Sequence, residues 1–167
     1  MSDYIKKIRD KVGQELLLLP SVSAFIQDEA HRVLLAKHRG TGKWVTPGGM
    51  VEPSEKPADA VVREVWEETG LLVEPTAIIA VQGGPLFQID YLHGDRVSYV
   101  STWFRCRVLE GELQREDEEL SELKYLSQAE TEKLADIAQW AKEHLRRAFD
   151  PKEGAYFEAP TWQPPDD

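Results

Sequence analysis

Residues Gly49 to Leu71 read GMVEPSEKPADAVVREVWEETGL, and the placing of proline, acids and glycine in this stretch decides the architecture around it. Pro57 suits a first helical turn, where its missing N–H would have no partner, and Gly70 suits the left-handed residue that closes a helix. Ala58, Val61, Val62 and Val65 recur at helical spacing and define a buried face. Glu64, Glu67 and Glu68 fall three and four residues apart on another face, so the three acids are neighbours.

That arrangement is poor for stability. Like charges at helical neighbour spacing cost about 0.2–0.5 kcal/mol per pair. Acids in the last turns oppose the helix dipole at a further cost of about 0.3–1 kcal/mol each. A bound divalent cation would reverse both penalties, whereas the plain alternative is a solvated acidic face with an internal Arg63–Glu67 pair. The residues upstream weigh toward the cation. Trp44 and then Pro47, Gly48 and Gly49 make a tight loop, Glu55 follows it, and exposed carbonyls in such a loop can serve as hard-cation ligands.

Gly49, Glu55, Arg63, Glu64, Val65, Glu67, Glu68, Gly70 and Leu71 match every fixed position of the Nudix box, Gly-x5-Glu-x7-Arg-Glu-U-x-Glu-Glu-x-Gly-U, where U is a bulky aliphatic residue. The chain therefore resembles the Nudix hydrolase family. The resemblance implies an α/β fold, an α/β/α sandwich with a mixed β-sheet, and a Mg²⁺-dependent or Mn²⁺-dependent pyrophosphohydrolase. By the same resemblance Glu67 and Glu68 are metal ligands, and Glu64 binds metal directly or acts through water. The carbonyl of Gly48 or Gly49 completes the coordination. Arg63 is expected to orient a box glutamate, and Glu55 to order the loop or assist as a base. Family members often take the general base from a later loop; here Glu116, Asp117, Glu118, Glu119 and Glu122 crowd one segment, with Glu119 or Glu118 the candidate. The ordinary reading of that run is a solvated loop.

The implied substrate is a nucleoside diphosphate linked to another group, ADP-ribose or similar. ADP-ribose-cleaving relatives tend to carry a proline beyond the motif, and Pro85 lies near that place, although the glycine break explains it equally well. The alternatives are clean-up of (d)NTPs or dinucleoside polyphosphates and, in another class, a nucleotide-sensing module without turnover. A homodimer is compatible with this resemblance.

Composition bounds these readings. A length of 167 residues suits one domain, and 41% apolar with 30% charged residues is ordinary for a packed globule. The expected division is a single domain over 1–150 and a proline- and aromatic-rich tail over 151–167, with Tyr156, Phe157 and Trp162. Thirty acidic against twenty basic residues give a net charge of -10, which disfavours nucleic-acid polymers and anionic membranes as partners. Mg²⁺ would reconcile an acidic protein with an anionic small-molecule substrate. A lone Cys106 excludes an intrachain disulfide, suits a reducing compartment, and alternates with Arg105 and Arg107 as a core residue of a strand. The start Met1-Ser2-Asp3 has no signal-peptide pattern, and the run Leu16 to Leu19 is too short to span a bilayer, so the cytoplasm is expected.

Along the rest of the chain, Tyr4, Ile5, Ile8 and Val12 predict an N-terminal helix ending at Gly13. Strands are expected over Leu16 to Ile26, Arg32 to Lys37, Val73 to Val81, Leu86 to Leu92, Val97 to Leu109 and Leu123 to Leu126. Turns fall at Asp28–Ala30 and His93–Arg96. Helices are expected over Gln128 to Leu134 and Asp136 to Ala148, the latter with Ile137, Trp140, Ala141 and Leu145 on one side. His38, Arg39 and Lys43, just before the glycine loop, are either phosphate contacts or solvated charge. Trp44 is expected to pack, and His31, His38, His93 and His144 show no metal-ligand spacing.

Overall fold

A computed structural model describes residues 3–91, 93–114, 120–149 and 154–161. The elements run α1 (Asp3–Val12), β1 (Leu17–Ile26), β2 (Val33–His38), β3 (Trp44–Val45), α2 (Pro57–Thr69) and β4 (Leu71–Gln82). A short 3-10 turn (Pro85–Phe87) leads to β5 (Gln88–Asp90), β6 (Arg96–Gly111), β7 (Leu120–Leu126), α3 (Gln128–Lys133) and α4 (Gln139–Phe149). The architecture is α/β, with strands forming two sheets. The larger is mixed: β1 runs parallel to β6, β6 pairs antiparallel with β4, and β5 folds back on β6. The smaller is antiparallel, in the order β3-β2-β7.

Strand alternation places each helix. Val22, Ala24 and Ile26 of β1 and Phe104 and Cys106 of β6 share one face of the large sheet and pack on Ala60, Val61 and Val65 of α2. Phe25 and Trp103 point the other way and pack on Ala141, Leu145 and Ala148 of α4. Leu17, Leu19, Val97 and Tyr99 also lie on that second face, where they meet Ile5 of α1. The mixed sheet is thus covered on both sides, α2 alone on one and α1 with α4 on the other.

Three expectations change on meeting tertiary context. The strands on either side of Asp28 do not form one hairpin ladder: β1 and β2 belong to different sheets, joined only by a bridge at Gln27–Val33. Asp28 Oδ1 closes the turn between them by accepting from the N–H groups of Ala30 and Arg32. The strand expected over Leu86 to Leu92 shrinks to β5, because Pro85 opens a 3-10 turn that drives Phe87 into the core. β3 is only two residues long, too short for a periodic signal. Trp44 is buried there with Lys37 above its ring.

Elsewhere the elements lie where expected. Gly13 (φ 63°) ends α1, Cys106 is buried in β6, and burial pushes its thiol up to about 12. Among the described residues no helix is long and apolar enough to cross a membrane. In the tail, Tyr156 lies along the edge of β4: its N–H donates to Ile79 O and its carbonyl accepts from Val81 N–H. Phe157 beside it is exposed, and Trp162 lies outside the described residues.

Candidate active site

The glycine loop is held as an extra edge strand of the large sheet. Gly49 O accepts from Val22 N–H (2.9 Å), Pro47 O from Ala24 N–H (2.8 Å), and Val51 N–H donates to Pro20 O (3.2 Å). A buried hydroxyl pair, Ser23 Oγ with Thr46 Oγ1 at 2.8 Å, ties the loop's start to β1. Gly48 has φ 148°, and a Cβ there would overlap the Val22 carbonyl, so glycine is required on both counts. Gly49 O is committed to Val22 N–H, whereas the carbonyl of Gly48 has no backbone partner among the described residues.

Helix α2 presents the box to this loop. Pro57 occupies its first turn, Gly70 (φ 74°) closes it with its N–H on Trp66 O, and Val61 and Val65 anchor its apolar side in the core. The polar side holds Arg63, Glu64, Glu67 and Glu68. The Arg63 guanidinium is the hub. Nε and Nη2 grip both oxygens of Glu55 at 2.8 and 3.0 Å, and Nη1 donates to Glu64 Oε1 at 2.9 Å and Glu67 Oε2 at 3.1 Å. Nη2 also donates to Met50 O at 3.0 Å. One planar cation therefore fastens helix, loop and the segment between them. The hydrogen bonds from Arg63 hold the Glu55 carboxyl below its ordinary range, and those from Glu55 push the Arg63 guanidinium further up. Glu55 also accepts from Glu52 N–H at 2.9 Å, which orders the approach to α2.

The remaining acids face the glycines. Glu68 Oε2 accepts from Gly48 N–H at 2.9 Å. The Glu64 carboxylate fills the space a side chain at Gly49 would need, since a Cβ there would lie 2.5 Å from Glu64 Cδ. Four carboxylates thus gather around one guanidinium, an excess of negative charge at the loop. Among the described residues, however, no three such side chains already converge as a finished cation cage. Glu64 and Glu67 lean on Arg63, and Glu68 on the loop N–H.

Glu119, with Glu116, Asp117 and Glu118, lies outside the described residues. Glu122 stands on β7, 3.5 Å from Lys37. His38 uses Nδ1 to accept from Gly40 and Thr41 N–H groups, so it caps its own loop, and Arg39 and Lys43 are exposed. Sequence reading missed Tyr99, whose half-buried hydroxyl meets that of Tyr91 at 3.0 Å. Burial, then Tyr91 and Glu64, raise its pKa, placing Tyr99 in the electrostatic neighbourhood of the box. Nothing in local periodicity marks it, because its position depends on long-range strand pairing.

Known proteins share this arrangement. The NUDIX domain model matches residues 17–148. An ADP-ribose pyrophosphatase of Methanocaldococcus jannaschii is 34% identical over 122 residues, 69% of each chain. A putative 8-oxo-dGTP diphosphatase of Bacillus subtilis is 40% identical over 63 residues, 38% of this chain and 42% of that protein. The crystal structure of a MutT protein from Methanosarcina mazei superposes with a TM-score of 0.64 at 25% identity, covering 81% of this chain and 95% of that one. These relatives carry different substrate names but one domain, and the chain belongs to the NUDIX family as a Nudix hydrolase.

Proposed function

We infer that the chain hydrolyses the pyrophosphate bond of a nucleoside diphosphate linked to another moiety, of which ADP-ribose is the type, with Mg²⁺ or Mn²⁺ bound at the box. The observation that carries this reading is the packing of Glu64 and Glu68 against the Gly48–Gly49 turn, with Arg63 between Glu55, Glu64 and Glu67. The donor set is all hard oxygen, suited to Mg²⁺, and includes a cradle at Gly49 that any Cβ would fill. Glu64, Glu67, Glu68 and the Gly48 carbonyl would hold the ion; the Gly49 carbonyl is turned to β1. When bound, a divalent cation neutralises phosphate charge and lowers the pKa of water.

The chain's own residues do the rest. Arg63 keeps Glu64 and Glu67 on one rim and Glu55 away from it, so that the acids facing the loop are those that face the substrate. Glu68 fixes the Gly48 N–H and with it the loop's distance from α2. Water takes the place of the departing phosphate on the attacked phosphorus, and its proton passes to a carboxylate. Glu64, or Glu119 from the loop before β7, is the proposed acceptor.

ADP-ribose is favoured because the relative so named matches along 69% of both chains, against 42% of the protein named for 8-oxo-dGTP. The test is a panel of ADP-ribose, dinucleoside polyphosphates, NADH and 8-oxo-dGTP with Mg²⁺. The expected result is release of AMP from ADP-ribose, lost in Glu67→Gln. Absence of turnover with every panel member, despite binding, would favour a sensing module instead.

A further inference from the structure

The second face of the large sheet changes character between its two helices. Under α1 the outward residues are Leu17, Leu19 and Val97, and under α4 they are Phe25 and Trp103. The same-face positions between them are Ser21 and Ser23 on β1, Ser101 on β6 and Gln82 on β4. Register sets Ser21, Ser101 and Gln82 side by side, and Ser23 beside Trp103. A row of hydroxyls and an amide therefore crosses three strands at a depth where the sheet is otherwise apolar. Gln82 is 7% exposed, Ser101 5% and Trp103 1%.

Buried polar atoms are normally paired, and an unpaired one costs about 1–3 kcal/mol. Ser23 satisfies this rule with Thr46, but Gln82 Oε1 and Trp103 Nε1 have no partner among the described residues. They are diagonal neighbours on one face, an acceptor beside a donor. No lysine or arginine belongs to the row, so it offers nothing to phosphate. Its neighbours are flat: the ring of Trp140 lies 5.7 Å from that of Trp103 and 6.5 Å from that of Phe87. The row begins at β1, the strand that carries the glycine loop on its other edge. Half-buried Ser21, Tyr99 and Trp140 border it.

We propose that this row is the nucleobase subsite, in which Gln82 Oε1 accepts from an exocyclic amine and Trp103 Nε1 donates to a ring nitrogen. An adenine-type edge presents that donor beside that acceptor, whereas replacing the amine by a carbonyl leaves Gln82 facing another acceptor. The inference rests on the pyrophosphohydrolase reading only for where the phosphates lie, and its test needs neither metal nor turnover.

Adenosine 5′-monophosphate and inosine 5′-monophosphate are titrated into ¹⁵N-labelled protein in EDTA, with the Trp103 indole resonance identified by its loss in Trp103→Phe. The expected result is that the adenine nucleotide moves this resonance and binds at least about tenfold more tightly than the inosine one, a preference that Gln82→Leu abolishes. Glu67→Gln should keep the preference, separating loss of base recognition from loss of the chemistry proposed above. An unmoved indole resonance, or equal binding of the two nucleotides by wild type, would overturn the proposal and leave a bridging water as the row's occupant. Should Gln82→Leu not fold, Trp103→Phe measured by calorimetry carries the same comparison, and unchanged affinity for the adenine nucleotide there would equally overturn it.

Discussion

Two adjacent glycines have different jobs, and substitution separates them. At Gly48 an alanine meets backbone at a positive φ, so Gly48→Ala should unseat the loop from β1 and destabilise the protein by about 1–3 kcal/mol, read from denaturant midpoints. At Gly49 the obstacle is the end of a flexible side chain, the Glu64 carboxylate, which can swing aside. Gly49→Ala should therefore fold with a nearly unchanged midpoint while hydrolysis falls by about 10²-fold, the effect of displacing a working group by an ångström. Equal stability losses in the two variants would refute the distinction. Arg63 gives a third expectation. Lysine cannot reproduce its fork onto Glu55, so Arg63→Lys should lose about 1–3 kcal/mol, between the values for exposed and for buried pairs. The partner supplies the pH dependence. Because the carboxyl of Glu55 titrates below its ordinary 4.5 in the folded state, the pair contributes fully above 4.5 and its contribution fades as pH falls through the folded-state value. Glu55→Gln should accordingly flatten the wild type's loss of stability between about pH 5 and pH 3.

At the scale of elements, what the sequence disclosed was local. Pro57, the valine spacing and Gly70 specified α2 because helix periodicity and caps are written within a few residues of one another. The same holds for α1, closed by Gly13, and for the Ser127–Glu130 capping box that opens α3. Strand partners are not written locally. β1 could be recognised from its own residues, but its parallel pairing with β6, Leu17 beside Val97, joins segments far apart in the chain. That pairing is what sets Tyr99 near the box and builds the Ser21–Ser101–Gln82 row, so both escaped a reading made residue by residue. The box acids were legible for the opposite reason, since one helix carries three of them and a fixed spacing brings Glu55 under Arg63. Their mutual arrangement was legible only in part. Periodicity put Glu64, Glu67 and Glu68 together, but not the preference of Glu68 for the Gly48 N–H or the hold of Arg63 on the other two.

The whole molecule carries a net charge of -10, and its densest local excess of acid around a single cation is the rim of α2 beside the glycine loop. Two electrostatic remedies are open to it, and they differ in specificity. Diffuse counter-ions screen every exposed acid over about 8–10 Å and would raise stability gradually with any salt. A specific ion at the box would act only through the carboxylates that face the loop, would saturate, and would favour a small divalent cation over a monovalent one. Binding to the folded state alone raises stability by RT ln(1 + [L]/Kd), about 2.7 kcal/mol when the ion is at a hundred times its Kd. Millimolar Mg²⁺ should therefore raise the thermal midpoint of wild type to a plateau at constant ionic strength, and EDTA should reverse that rise without unfolding the protein. Glu67→Gln is the informative control, because Glu67 is half-exposed and touches the rest of the fold through Arg63 alone among the described contacts. Its loss should cost little in the absence of metal yet remove most of the Mg²⁺-dependent rise. If that variant kept the full plateau, or if NaCl at matched ionic strength reproduced it, the charge at α2 would be ordinary solvated surface and the box would bind no ion of its own.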